Sequence, residues 1–181
     1  MMPGNFSPPS SGRNHFNTIV TNATSSTTPL PVLMKKPNFE ARTECEVLKI
    51  NLTPDGKHVV SGSLDKTLRV WSLDSAKSAR TFSGHTHYVM SVCVTADGKH
   101  VVSGSRDKTV RVWSLDSGEC LRTLTGHTKE VRTVTDSPDG RYILSASADG
   151  NAIIWDAQSG QRVRVVRADE TALLSATFSA D

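Results

Sequence analysis

Gly84-His85-Thr86-His87-Tyr88-Val89, followed by Val102-Ser103-Gly104-Ser105-Arg106-Asp107-Lys108-Thr109-Val110-Arg111-Val112-Trp113, decides the fold. The unit around it repeats. Residues 55–82 laid over 97–124 agree at 21 of 28 positions, and Trp71, Trp113 and Trp155 stand 42 residues apart. Gly84-His85 and Gly126-His127 keep the same step. A fixed period of about 40 residues marks an array of supersecondary units that must stack on their neighbours to bury a core.

Each unit reads as four short strands. Val89–Val94 is rich in β-formers and ends at Asp97-Gly98, a strong hairpin signal. A second strand is expected over Lys99–Ser103, closed by a turn over Gly104–Lys108. Thr109–Trp113 alternates polar and apolar, as a half-buried strand does, and Cys120–Leu124 makes a fourth after Asp116-Ser117-Gly118. Connections this short force antiparallel neighbours. The expected fold class is therefore all-β, built of four-stranded antiparallel meanders.

On these residues the chain resembles the WD-repeat (WD40) family, whose blades stand radially around a channel as a β-propeller. Only Trp155-Asp156 keeps the family's Trp-Asp pair; Trp71-Ser72 and Trp113-Ser114 depart from it. The resemblance implies blades at about 44–84, 85–126 and 127–168, with a partial blade over 169–181, so that the ring is incomplete. Thr171–Phe178 is expected as its first strand. The first unit has Arg42-Thr43 where Gly-His is due. The third has Ala146 in place of the Gly of Ser-Gly-Ser, and its last strand, Gln161–Arg167, alternates arginine and valine as an outer strand with one wet face would.

Residues 1–43 form a different region. They hold six of the eight prolines with many Ser, Thr and Asn, a composition that cannot offset the entropy of ordering. A disordered arm is expected there. The net charge of +3 is mild and does not point to nucleic acid. No apolar run reaches membrane-spanning length, and the N-terminus lacks the pattern of a secretory signal. An intracellular protein, cytoplasmic or nuclear, is expected. Three cysteines without a Cys-x-x-Cys pair suggest neither a disulfide framework nor a zinc site, and His85-Thr86-His87 lacks further ligands at suitable spacing. No metal and no cofactor is assigned.

Serine, histidine and aspartate invite a hydrolase reading. Here they recur at every period: His85, Ser103, Ser105, Asp107 and Trp113, then His127, Ser145, Ser147, Asp149 and Trp155, with Ser61, Ser63, Asp65 and Trp71 in the first unit. A catalytic set occurs once per site, so these sets read as structural, and no enzyme is expected. The resemblance implies a hydrogen-bonded chain from Asp through His and a serine hydroxyl to the indole within each blade. Which serine takes part stays open, because both lie on one strand face.

The family commonly binds partners near the Gly-His loop and the second turn. By position this implies Tyr88, Met90 and Arg106 on the second blade, Glu130, Arg132 and Ala148 on the third, and Glu46, Leu48 and Leu64 on the first. The expected function is a non-enzymatic scaffold for protein or peptide partners. Two other readings stand beside it: a truncated fragment of a larger WD-repeat protein without independent function, and a propeller that meets nucleic acid through the Arg162–Arg167 strand. Self-association that completes the ring is a further expectation.

Overall fold

The computed structural model describes residues 47–75, 78–168 and 172–179, with side chains from residue 51 onward. Expectations for the arm, for Arg42-Thr43 and for Glu46 lie outside the described residues. Twelve strands are described, in three sheets. Strands β1 (Val47–Leu52), β2 (His58–Ser63), β3 (Leu68–Ser72) and β4 (Ser78–Phe82) pair in sequence order in the first sheet. The second holds β5 (Val89–Val94), β6 (His100–Ser105), β7 (Val110–Ser114) and β8 (Cys120–Leu124). The third holds β9 (Val131–Asp136), β10 (Tyr142–Ser147), β11 (Asn151–Asp156) and β12 (Arg162–Arg167). All pairs are antiparallel.

The β1–β2, β5–β6 and β9–β10 hairpins close on the same device. In the second sheet Thr95 Oγ1 donates to Asp97 Oδ1 at 2.6 Å, and Gly98 takes a φ of 69°, which glycine adopts without strain. Thr53 with Asp55 and Ser137 with Asp139 repeat it. The second strand of each unit runs further than its sequence suggests. Gly104 pairs with Val110 and Ser105 with Val89, so β6 ends at Ser105 and the turn begins at Arg106.

The sheets stack through their first strands: β5 packs on β1 and β2, and β9 on β5 and β6. Two cores result, one at each junction. Val60, Leu68, Val70 and Phe82 meet Val89, Val92, Val101 and Trp113 at the first. Val102, Val110, Val112 and Leu124 meet Val131, Val134, Ile143 and Trp155 at the second. Phe82 stacks on Trp113 with ring centroids 5.8 Å apart and planes 10° from parallel. Glycine permits the close approach: a Cβ on Gly104 would stand 2.7 Å from Val131 Cγ1, and one on Gly62 would stand 2.8 Å from Val89 Cγ1. Polar ties cross the junctions as well. Arg80 Nη1 donates to Leu115 O at 2.6 Å, and Val134 N–H donates to Ser91 Oγ at 3.2 Å.

Two expectations are corrected. The strand expected over 171–178 does not form: residues 172–179 carry no strand. They meet the third sheet through Leu173 N–H to Ser147 O at 3.1 Å and Thr133 Oγ1 to Leu174 O at 2.8 Å, which is no ladder. The second correction concerns β12, where every residue is exposed rather than one face alone. A register shift between Ile154 and Trp155 sets Arg162 opposite Trp155 and Arg164 opposite Ile154, but β4 and β8 carry the same shift and still bury Phe82 and Leu124 under the following sheet. Among the described residues no sheet covers β12, so both of its faces stay open.

Candidate functional site

In the second sheet His85 is held between two partners. Its Nδ1 lies 2.7 Å from Asp107 Oδ2 and its Nε2 lies 2.7 Å from Ser103 Oγ. Trp113 Nε1 donates to the same Ser103 Oγ at 2.8 Å. An indole N–H only donates and a carboxylate only accepts, so Nδ1–H donates to Asp107 and, with the imidazole neutral, the Ser103 hydroxyl donates to Nε2. The third sheet repeats it: His127 to Asp149 at 2.9 Å, His127 to Ser145 at 2.9 Å, and Trp155 to Ser145 at 2.8 Å. Both histidines, both of these serines and both tryptophans are buried. The Ser103 hydroxyl is thus enclosed, with both the indole and the imidazole as hydrogen-bond partners.

The two serines of each strand divide the labour. Ser105 Oγ donates to His87 O and accepts from Asp107 N–H, each at 3.1 Å, which fixes the turn and not the imidazole. Ser147 does the same with Lys129 O and Asp149 N–H. In the first sheet Trp71 Nε1 donates to Ser61 Oγ at 2.9 Å, and Asp65 N–H donates to Ser63 Oγ at 3.1 Å. There Arg69 Nη2 reaches Asp65 Oδ2 at 3.1 Å.

Burial pushes the Asp107 carboxyl up, but bonds from His85, Thr109 and the Thr86 N–H outweigh it and hold the group far below the ordinary carboxylate range. At Asp149, too, burial is outweighed, by the Thr128 N–H, His127 and the Asn151 N–H. Sequence reading missed Thr109, whose Oγ1 donates to Asp107 Oδ1 at 2.6 Å. Its signal was present: Asp65-Lys66-Thr67, Asp107-Lys108-Thr109 and Asp149-Gly150-Asn151 place a polar residue two beyond each turn Asp.

The residues implied as a partner face gather at the end of the sheets where β5 and β9 begin and β6 and β10 end. Arg106 Nε lies 3.2 Å from Glu130 Oε2, so an ion pair joins the second sheet to the third. Arg132 Nη2 holds the other oxygen of Glu130 at 2.7 Å. The Arg106 guanidinium lies 5.8 Å from the centre of the Tyr88 ring. Backbone bonds fix the loops: Arg106 N–H to Tyr88 O at 2.9 Å and Ala148 N–H to Glu130 O at 3.0 Å. Met90, Ala148 and Leu64 are half-buried. Only the backbone of Leu48, in β1, is described. Among the described residues no group of three His, Cys, Asp or Glu is placed to hold a metal ion, and no helix is long and apolar enough to cross a membrane.

The chain is similar over 50 residues, at 34% identity, to a U3 snoRNP-associated protein-like protein, YAOH, of Oryza sativa subsp. japonica. The matched stretch is 28% of this chain and 10% of that relative. The family model described as WD domain, G-beta repeat matches residues 36–72, 76–114 and 118–156, more than half of the sequence. Three antiparallel four-stranded sheets, each carrying the Trp of the repeat one residue before the end of its third strand, agree with that match. The chain belongs to the WD40 repeat family.

Proposed function

We propose that the protein is a non-enzymatic scaffold whose partner-binding rim is formed by Tyr88, Arg106, Glu130 and Arg132, flanked by Leu64, Met90 and Ala148. The observation that carries this reading is the cluster itself. Two arginines share one carboxylate across a sheet junction, and the Arg106 side chain is half exposed beside an aromatic ring. Tyrosine and arginine held on a rigid support are residues that dominate binding energies. The cluster keeps one net positive charge, so an acidic segment of a protein or peptide partner fits it. The partner's carboxylate competes with Glu130 for the same guanidinium groups. The test is affinity capture by the full chain beside its Arg106→Glu variant. Loss of a captured protein with an unchanged melting curve is expected; identical captured sets overturn the reading.

Self-association is a second reading, favoured by one comparison. Val166 is 49% exposed, whereas its counterparts Leu124 and Phe82, covered by the following sheet, are 4% and 0% exposed. The uncovered face of the third sheet thus carries the residue type that the other two bury. The described sheets belong to a WD-repeat region that follows residue 43 and acts inside the cell. The relative named for a U3 snoRNP supports a ribonucleoprotein setting, and so a nuclear one, for its partners.

A further inference from the structure

We propose that β12 is a docking edge for an acidic, extended segment of a partner protein, which adds to the third sheet as a fifth strand. This edge lies away from the rim, at the far side of the sheet whose order is β12-β11-β10-β9, so among the described residues one side of its backbone has no ladder partner. The bulge decides what that edge displays. Arg162 lies opposite Trp155, Val165 opposite Ile153 and Arg167 opposite Asn151, which brings two arginines and a valine to one face. Arg164 and Val166, opposite Ile154 and Ala152, take the other.

The third sheet differs here from the second. There Arg111 lies 5.8 Å from the Trp113 ring centre and crowds Gly84, where a Cβ would stand 2.7 Å from its Nη1. Ile153 occupies that station in the third sheet, and the space opens as a groove of about 460 Å³ bordered by Gly126, Asn151, Ile153, Arg162, Val165 and Arg167. The positions matching Arg162 and Arg167 are Cys120 and Thr125 in the second unit and Ser78 and Ser83 in the first. The charge is therefore particular to this edge. Among the described residues none of Arg162, Arg164 and Arg167 makes an ion pair.

An occupant of this strand meets three features together: unpaired backbone groups, three cations, and valines of which Val163 is 55% and Val165 38% exposed. An extended peptide that alternates acidic and apolar residues satisfies all three, since strand addition gives main-chain bonds and alternate side chains give specificity. A nucleic acid strand would satisfy the arginines alone.

The test is fluorescence anisotropy with the full chain and four labelled probes: an alternating Glu–Val peptide, its Lys–Val counterpart, the Glu–Val peptide with alternate backbone amides N-methylated, and oligouridylate. Binding of the Glu–Val peptide alone is expected, weakened about tenfold or more in Arg162→Glu/Arg167→Glu, the order that reversing two interfacial charges produces. Lys57→Glu/Lys99→Glu, the same change of net charge made at exposed hairpin turns away from both β12 and the rim, should leave it unchanged. Equal binding of the N-methylated peptide removes the ladder from the account, and preference for oligouridylate replaces the partner class. Absence of Glu–Val binding overturns the proposal.

Discussion

At the scale of single residues, the buried His–Ser–Trp chains tie the second and third sheets to their turn Asp. Removing Asp107 leaves the His85 N–H with only the Thr109 hydroxyl, at 3.5 Å, as an acceptor. Asp107→Ala should cost on the order of 1–3 kcal/mol in denaturant unfolding, and an unchanged midpoint would contradict the role given to this bond. The sign of its pH dependence follows from the depressed carboxyl. Its contribution is complete above the unfolded value of about 4 and is lost as pH falls below it. Asp107→Asn should therefore show a flatter decline in stability below about pH 4 than the native chain. Lys108, beside it, holds a φ of 73°, and Gly150 stands at the same station with a φ of 81°. Lys108→Gly should be neutral or stabilising by up to about 1 kcal/mol, because the left-handed region strains a residue with a Cβ. A clear loss of stability would show that the lysine side chain matters more than its backbone. The residue types of each chain were legible in the 42-residue period. The choice between Ser103 and Ser105 was not, because strand alternation puts both on one face and only their depth along the strand separates imidazole from turn.

At the scale of strands and junctions, close approach and one misfit charge dominate. Gly104→Ala should cost about 1–3 kcal/mol, since its methyl would overlap the Val131 and Val134 side chains, which pack in the second core. A wild-type melting temperature in that variant would mean that the third sheet shifts without cost. Asp136 ends β9 where the other units have Leu52 and Val94. Burial raises its carboxyl above the ordinary range, the Ala96 N–H opposes this at 2.8 Å, and the Asp97 and Asp139 carboxylates add to the rise. A raised acid weakens the fold once pH climbs past its unfolded value. Asp136→Asn keeps an acceptor for Ala96 and should melt higher than the native chain at pH 7, with the advantage gone below about pH 4. Strand number and order could be read from alternation and the Asp-Gly turns. The bulge in β12 could not, because a register shift depends on how two strands fit and not on residue type. Residues 172–179 show a related limit: Leu173 and Leu174 read as strand, but a strand exists only where a neighbour supplies the ladder.

At the scale of the molecule, the two cores are interfaces between sheets, so each sheet is buried by its neighbours. The third sheet offers Val166 and half-buried Ile154 on a face that sheet packing would cover. Light-scattering mass should rise with concentration for the full chain and fall back in Val166→Lys; a constant monomer mass for the native chain would remove self-association. The central claim is that partners meet the Tyr88–Arg106–Glu130–Arg132 rim while the His–Ser–Asp sets only hold it. The most direct measurement is partner capture by Arg106→Glu and Ser103→Ala side by side, well below either melting temperature. The account predicts that Arg106→Glu melts like the native chain and loses the partner, and that Ser103→Ala melts earlier and keeps it. Capture lost in Ser103→Ala and kept in Arg106→Glu would contradict it.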